Sequence, residues 1–305
     1  MSELLDASIR ELLRTLEIGS RETLQGVRYG LHRSRRRGVS TDFTHHRGYQ
    51  PGDPLKHIDW KVYARTNRHF VKQFIEHSAL TLWTVLDNSA SMHDQPQAVT
   101  LSGKAEGMIP KFTLAARLCA ALCNLAIRQQ DAAGLVVSGS KTTVVPPRSS
   151  NKHLGLLFNT IARSPERADS GDLSSALREL TESIASGHLV AIASDLFFEP
   201  DETRELLREL RGRGADILIY QVATPFEIDF DFSHWVDFRC LETKGLHHRV
   251  DTTLLREAYQ REQTEFQAEW DQFAKRHGIE IYRATTSMTL TDILNQSLRL
   301  RASQG

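Results

Sequence analysis

The chain has 305 residues, of which 40% are hydrophobic, 8% aromatic and 25% charged. These values are typical of soluble globular proteins, and the length allows one large domain or one domain with a substantial extension. The formal net charge is zero, so no overall field favours nucleic acid or a membrane surface.

The charge is unevenly distributed along the chain. Between Arg21 and Gln73 there are twelve Lys/Arg against four Asp/Glu, so the remainder is net acidic. The basic excess is densest in the cluster Arg33, Arg35, Arg36 and Arg37. This arginine cluster could contact RNA, but no aromatic stacking platform accompanies it. We therefore favour a solvated loop or one that docks on an acidic partner surface.

The cysteines and the apolar segments indicate a cytoplasmic protein. Three cysteines are too few for a disulfide framework, and Cys119 and Cys123 are spaced to share one helix face in the core. The acidic, amphipathic N-terminus is unlike a signal peptide. The longest apolar stretch, 114–127, contains Arg117 and Asn124 and is too short to span a bilayer.

The first 75 residues form an N-terminal segment of mixed character. Residues 2–17 carry leucines and an isoleucine on one helical stripe, which predicts a helix that docks on something. An arginine-rich connection follows, and then an irregular region over 48–74 in which Pro51-Gly52 predicts a turn. Phe70, Lys72 and Phe74 lead into an extended run. We expect this segment to pack on a main domain that covers residues 76–305.

From Leu80 onward, strands and helices alternate. The predicted strands are 80–86, 133–137, 142–145, 189–193, 215–222 and 279–282, with a shorter β stretch over 236–250. The predicted helices are 112–130, 153–161, 173–184, 202–211, 253–276 and 290–300. This alternation predicts an α/β fold with a mostly parallel, doubly wound sheet, preceded by a helical and irregular or β extension.

A polar constellation directly follows the most buried predicted strand, 80–86. Its members are Asp87, Ser89 and Ser91. In an extended loop they point the same way, because side chains alternate with a period of two. A second acid, Asp195, ends the predicted strand over 188–195, and ligands of open α/β sheets bind beyond the carboxyl ends of the strands. This set of oxygen ligands suits Mg²⁺ or Mn²⁺.

The pattern D-x-S-x-S resembles the metal-ion-dependent adhesion site of von Willebrand factor A domains. That resemblance implies a metal with an open coordination position, which a carboxylate of a partner protein completes. The family adds a threonine from a later loop, and the matching position here is Gly171, which has no hydroxyl group. Ser170 or Asp172 is a possible substitute ligand.

A second resemblance covers nearly the whole chain. The segment 30–74, followed by V-L-D-N-S-A-S-M, is similar to the bacterial family called "domain of unknown function 58". The matching positions are Arg47, Tyr49, Pro51, Gly52, Asp53, Ile58, Asp59, Trp60, Ala64 and Arg65. Pro54, His77 and Ser78 depart from the family pattern. We expect the matching residues to be structural, with acids such as Asp53 and Asp59 forming ion pairs that fasten the segment to the main domain.

The second resemblance implies a function. Members of that family are commonly encoded beside MoxR-type AAA+ ATPases and are thought to act as their adaptors or co-chaperones. We therefore predict a metal-dependent, non-enzymatic adaptor that binds a MoxR-type ATPase and a client protein.

Two other classes of function remain open. A metal-dependent phosphoesterase would need a general base beside the metal, which only His93 or Asp94 offers. An RNA-binding protein would use the arginine cluster, and its binding would weaken steeply with salt. Neither a phosphate-binding G-x-x-x-x-G-K-[ST] loop nor the G-x-S-x-G elbow of serine hydrolases occurs in the chain.

Overall fold

The computed structural model describes most of the chain in two compact units. The described residues are 41–50, 58–76, 80–93, 99–100, 103–104, 109–139, 141–164, 173–197, 200–230, 235–239 and 247–303. Those up to residue 76 belong to one unit, and those from Leu80 onward belong to the other. The predicted helix 2–17, the arginine cluster, Pro51 to Asp53, and Ser170 to Asp172 lie outside the described residues.

The smaller unit contains a β-hairpin and a short helix. Strand β1 (Thr41–Gly48) pairs antiparallel with β2 (Phe70–Glu76), and helix α1 (Trp60–Thr66) lies between them in sequence. The side chain of Asp59 caps α1 by accepting from the backbone N–H groups of Lys61 and Val62. The prediction of an irregular region over 48–74 was therefore wrong at α1, which a single capping residue starts.

The larger unit contains the remaining elements. Its described strands are β3 (Thr81–Leu86), β4 (Val99–Thr100), β5 (Gly103–Lys104), β6 (Ala132–Val137), β7 (Thr143–Arg148), β8 (Leu189–Ser194), β9 (Asp216–Ala223), β10 (Trp235–Arg239), β11 (His247–Asp251) and β12 (Glu280–Thr285). Its described helices are α2 (Lys111–Arg128), α3 (Asn151–Ala162), α4 (Leu173–Ser183), α5 (Pro200–Gly212), α6 (Pro225–Asp229), α7 (Thr252–His277) and α8 (Leu290–Ser303).

A six-stranded sheet forms the centre of the larger unit, in the order β12-β9-β8-β3-β6-β7. All neighbouring strands are parallel except β6 and β7, which are antiparallel. This confirms the predicted mostly parallel sheet. Two further hairpins, β4-β5 and β10-β11, form small antiparallel sheets of their own.

Both faces of the sheet are covered, because successive residues of its inner strands enter two separate hydrophobic cores. On β3, Leu82 and Leu86 lie in a core with residues of α2, α3 and α8. The alternate residues Trp83 and Val85 lie in a second core with residues of α4, α5 and α7. Strands buried on both faces read as continuous apolar runs, which is why 80–86 and 189–193 were predictable.

Helix α2 is buried on nearly all sides. The predicted stripe of Leu114, Leu118, Leu122 and Leu125 is buried, and so are the intervening alanines. The thiols of Cys119 and Cys123 are free and buried, which confirms their prediction as core residues. Burial raises the pKa of Cys119 well above its ordinary value and that of Cys123 to about 12, so both thiols stay protonated and unreactive.

Strand β7 lies at one edge of the sheet and contains Pro146 and Pro147. Its neighbour β6 carries Gly134, whose Cα faces the ring of Trp83 so closely that a Cβ there would lie 2.9 Å from Trp83 Cε3. The glycine therefore makes room for the tryptophan between β3 and β7.

Among the described residues, no helix is both long enough and apolar enough to cross a membrane.

Candidate metal and partner-binding site

The two predicted acids lie at the same edge of the sheet. Strands β3 and β8 are neighbours and run parallel, so the residues that follow them emerge side by side. The backbone N–H of Asp87 continues the ladder by donating to the carbonyl of Ala193 at 3.0 Å. Asp195 follows directly after β8. The predicted meeting of Asp87 and Asp195 at one rim therefore agrees with the sheet order.

Asp87 is buried within a set of hydrogen-bond donors. Its Oδ1 accepts from the backbone N–H of Ser89 at 2.9 Å and from Ser138 Oγ at 3.2 Å, and its Oδ2 accepts from Ser194 Oγ at 2.5 Å. Burial and the charge of Asp195 raise the pKa of Asp87 to about 6, although the hydrogen bonds from Ser194 and Ser89 lower it. The buried carboxylate therefore favours a nearby positive charge.

The two predicted hydroxyl ligands meet above Asp87. A short 3₁₀ turn over Ala90–His93 brings Ser89 Oγ and Ser91 Oγ to 3.1 Å from each other. Adjacent ligands of an octahedral Mg²⁺, at about 2.1 Å from the ion, are about 3.0 Å apart. The spacing of the two hydroxyl groups therefore fits two neighbouring positions around one small divalent ion.

Asp195 has a partner that the sequence did not predict. Its Oδ2 accepts from the ammonium group of Lys111 at 2.8 Å, and its Oδ1 accepts from the backbone N–H of Phe197 at 3.2 Å. The same ammonium group donates to Glu227 Oε1 at 2.5 Å. Only 2% of the Lys111 side chain is exposed. Burial lowers the pKa of Lys111, but the charges of Asp195 and Glu227 outweigh it and hold the pKa above its ordinary value.

Helix α6 positions Glu227. Thr224 caps this helix, and Glu227 closes a capping box by accepting from the Thr224 backbone N–H at 2.7 Å. The Tyr259 hydroxyl of α7 donates to the backbone carbonyl of Glu227 at 2.8 Å. One carboxylate oxygen of Glu227 thus fixes its own helix, and the other is left to bind Lys111.

The residue between Asp87 and Ser89 is also buried. Asn88 Oδ1 lies 2.6 Å from His93 Nε2, and its backbone N–H donates to Ser138 Oγ. Its side-chain Nδ2 is buried and has no hydrogen-bond partner among the residues that the structure describes. The ring of His93 stacks on Phe112 with ring centres 4.4 Å apart. Asn88 and Phe112 therefore hold the imidazole on both its edge and its face.

The donor set at this rim fits a hard divalent ion in chemistry and in charge. The hydroxyl groups of Ser89 and Ser91 lie together beside the carboxylate of Asp87, which is close enough to Asp195 to interact with its charge. The set includes hydroxyl ligands, and within the described part of the chain no three His, Cys, Asp or Glu side chains form a metal cluster. Ionised Asp87, Asp195 and Glu227 carry three negative charges against one positive charge on Lys111, which leaves two to be balanced. The substitute ligands Ser170 and Asp172 lie outside the described residues, and so does Asp94.

Comparison with known proteins assigns the family. Residues 45–269 match the family model described as "Protein of unknown function DUF58". The chain belongs to the DUF58 family. The match spans both described units and includes the rim formed by Asp87 and Asp195.

Relatives of this DUF58 protein occur in mycobacteria. An uncharacterized protein of Mycobacterium bovis is 31% identical over 227 residues, which cover 73% of this chain and 68% of the relative. Uncharacterized proteins from two strains of Mycobacterium tuberculosis match to the same extent.

Two solved structures from Bacteroides species also match this DUF58 protein. BatB from Bacteroides thetaiotaomicron has a TM-score of 0.43 and 15% identity over 74% of this chain and 100% of that chain. An aerotolerance-related membrane protein from Bacteroides fragilis has a TM-score of 0.43 and 14% identity over 73% of this chain and 100% of that chain.

Two described family residues, Tyr49 and Asp59, contact other residues of the smaller unit. Asp59 caps α1 and also lies 3.0 Å from His46 Nε2. The backbone N–H of Tyr49 donates to the carbonyl of His69, whose ring stacks on Tyr63 at 4.5 Å. Trp60 is 59% exposed. Asp59 thus serves its own unit, and the predicted fastening of this unit to the main domain stays a prediction.

Proposed function

We propose that this DUF58 protein is a metal-dependent, non-enzymatic adaptor that binds a MoxR-type AAA+ ATPase and a client protein in the bacterial cytoplasm. The observation that carries the proposal is the convergence of Asp87, Ser89 and Ser91 with Asp195 at one rim of the sheet. These residues would hold a Mg²⁺ or Mn²⁺ ion, which would supply an electrophilic position for a carboxylate of the partner.

The residues of the rim suit binding better than catalysis. Ser89 and Ser91 offer neutral oxygens, which leave the charge of a bound ion available to a partner group. A phosphoesterase needs a base free to take a proton from water. The candidate His93 is held between Asn88 and Phe112, an arrangement that supports a structural role for its ring.

Exposed apolar side chains near the rim also support protein binding. The ring of Phe197 lies 5.6 Å from Lys111 Nζ and is 40% exposed, and Ile228 directly follows Glu227 and is equally exposed. Apolar contacts beside a single buried charge are the usual composition of an interface centre. The arginine cluster adds attraction toward an acidic partner surface, which we expect as faster association at low salt.

Metal binding is tested directly by calorimetry. We expect one Mg²⁺ or Mn²⁺ site in the wild type and no measurable site in Asp87→Ala, because that change removes the central carboxylate. The matched control is Asp201→Ala, since the Asp201 side chain lies in the first turn of α5 and is 96% exposed. Failure of the wild type to bind either ion at millimolar concentration, with partner present, contradicts the metal claim.

Partner binding is tested by co-purification with a MoxR-type ATPase from the same organism. We expect capture by the wild type and by the exposed control Ser287→Ala, and reduced capture by Ser89→Ala or in the presence of EDTA. Equal capture by the wild type, Ser287→Ala and Ser89→Ala would show that the rim is not needed for partner binding. Absence of capture, together with metal-dependent cleavage of a phosphoester, favours the phosphoesterase instead.

A further inference from the structure

Lys111 occupies an unfavourable place for a lysine. It is the first residue of α2, where the helix dipole presents its positive end, and its side chain is almost fully buried. A buried ammonium group is stable only when paired, and two carboxylates meet it here within 2.8 Å. Such a pair seldom adds more stability than apolar side chains of the same volume would. The presence of Lys111 at the rim is therefore better explained by its effect on the electrostatics of the site than by stability.

The ammonium group is closed to a partner. It donates to Asp195 and Glu227, and the ring of Phe197 covers it at 5.6 Å. The ammonium group of Lys111 is therefore bound by side chains of its own chain. It acts on the rim through its charge and through the carboxylate that it holds.

Both carboxylate oxygens of Asp195 are consequently bound to donors of this chain, one of them a cation. The Asp195 Oδ2 accepts from the ammonium group of Lys111, and the Oδ1 accepts from the backbone N–H of Phe197. The carboxylate of Asp87 instead accepts from the backbone N–H of Ser89 and from the hydroxyl groups of Ser138 and Ser194. The two predicted carboxylate ligands therefore differ in electrostatic environment.

We infer that Lys111 is a resident cation of the rim, which holds Asp195 as its counter-ion and thereby limits the affinity of the Asp87, Ser89 and Ser91 side for a divalent metal. Glu227 opposes this effect by drawing part of the lysine charge toward α6. Lys111 and Glu227 are thus positioning residues for metal binding, with effects of opposite sign. The inference rests on the proposed metal site.

The charges give the direction of each substitution. Lys111→Met leaves three carboxylates without the ammonium group, so we expect Mg²⁺ to bind more tightly. Glu227→Gln removes one negative charge and releases Lys111 to Asp195, so we expect weaker binding. A unit charge several ångströms from a divalent ion, at an effective dielectric constant of about 20, changes affinity by roughly tenfold or more. Lys111→Arg keeps the charge and should bind Mg²⁺ within about threefold of the wild type.

The experiment is calorimetric titration of the full chain with Mg²⁺ and Mn²⁺, with circular dichroism to show that each variant is folded. General damage to the fold lowers affinity in both variants, so opposite signs for Lys111→Met and Glu227→Gln support the inference. Affinity in folded Lys111→Met that is unchanged or weaker overturns it, while metal binding by the wild type stands. If Lys111→Met does not fold, Glu227→Gln decides, and unchanged or tighter binding by that variant overturns the inference.

The outcome also separates this inference from the proposed function. Binding by Lys111→Met but not by the wild type supports the resident cation and contradicts a metal-dependent adaptor. Binding by neither protein, in folded form, contradicts both.

Discussion

Asp131 lies outside the rim and has a carboxyl group with a raised pKa. It accepts from the backbone N–H of Leu80 at 2.8 Å, at the entry to β3. Burial raises its pKa from 3.8 to about 6, and the hydrogen bond opposes this shift. Between these two values the folded chain holds a proton that the unfolded chain has released. Raising the pH through this window therefore lowers the free energy of unfolding.

We predict that Asp131→Asn removes this pH dependence. The amide oxygen still accepts from Leu80, but the side chain no longer titrates. Relative to the wild type, the variant should gain about 1 kcal/mol of unfolding free energy between pH 4 and pH 7, less than the full shift implies because the side chain is partly exposed. Urea unfolding at both pH values measures the difference. A difference that stays constant with pH, as expected for the exposed control Asp201→Asn, would contradict the assignment.

The sequence was sufficient to place Asp87 and Asp195 at one edge of the sheet, because each directly follows a buried strand. The role of Asp87, Ser89, Ser91 and Asp195 as metal ligands stays a prediction. Lys111 and Glu227 were missed because their roles depend on contacts 84 and 116 residues apart in the chain. One signal was available: Lys111 follows Pro110 and begins the helix that contains the apolar stretch 114–127, where a solvated lysine is out of place.

Substitution by alanine should have opposite effects on stability at two glycines, Gly134 and Gly155, that lie within secondary structure. A Cβ at Gly134 on β6 would lie 2.9 Å from Trp83 Cε3 and 3.1 Å from the backbone nitrogen of Pro147. A Cβ at Gly155, inside α3, would meet nothing within 4 Å. The first position is closed by packing, and the second is open.

We predict that Gly134→Ala destabilises the protein by about 1–3 kcal/mol, because the tryptophan or the edge strand must move. Gly155→Ala should stabilise it by about 0.5–1 kcal/mol, since alanine restricts the unfolded chain and favours the helix. Shifts in the urea midpoint, with the slope unchanged, measure both effects. Equal shifts for the two variants would show that the packing around Trp83 is looser than the distances indicate.

The elements of the larger unit were more predictable than those of the smaller one. From Leu80 onward, buried strands and apolar helical stripes gave the type of every predicted element, with ends displaced by a few residues. Strand β1 contains Thr41, His45 and His46 and lacks an apolar run, so its pairing with β2 left no periodic signal. Helix α1 has seven residues and an exposed Trp60, so only its cap at Asp59 marked its start.

The described part of the smaller unit is too slight to be stable by itself. A two-stranded hairpin and a seven-residue helix bury little apolar surface, and isolated hairpins of this kind are marginal in water. The sequence predicts that residues 1–75 pack on the main domain, so their deletion should expose the apolar surface that they cover. We therefore predict that this deletion yields an insoluble protein or one with a clearly lower Tm. Thermal unfolding of the purified deletion variant measures this, and a Tm equal to that of the full chain would show that the segment is an independent module.

The edge strand β7 restricts how whole molecules associate. Pro146 and Pro147 lack backbone N–H groups, so a foreign strand laid along this border meets fewer donors than an ordinary edge provides. Sheet-to-sheet growth, the usual start of fibrous aggregation, is therefore disfavoured at this border even when many copies are crowded together. At this border, two adjacent prolines therefore help to keep separate copies of the protein from joining into one continuous sheet.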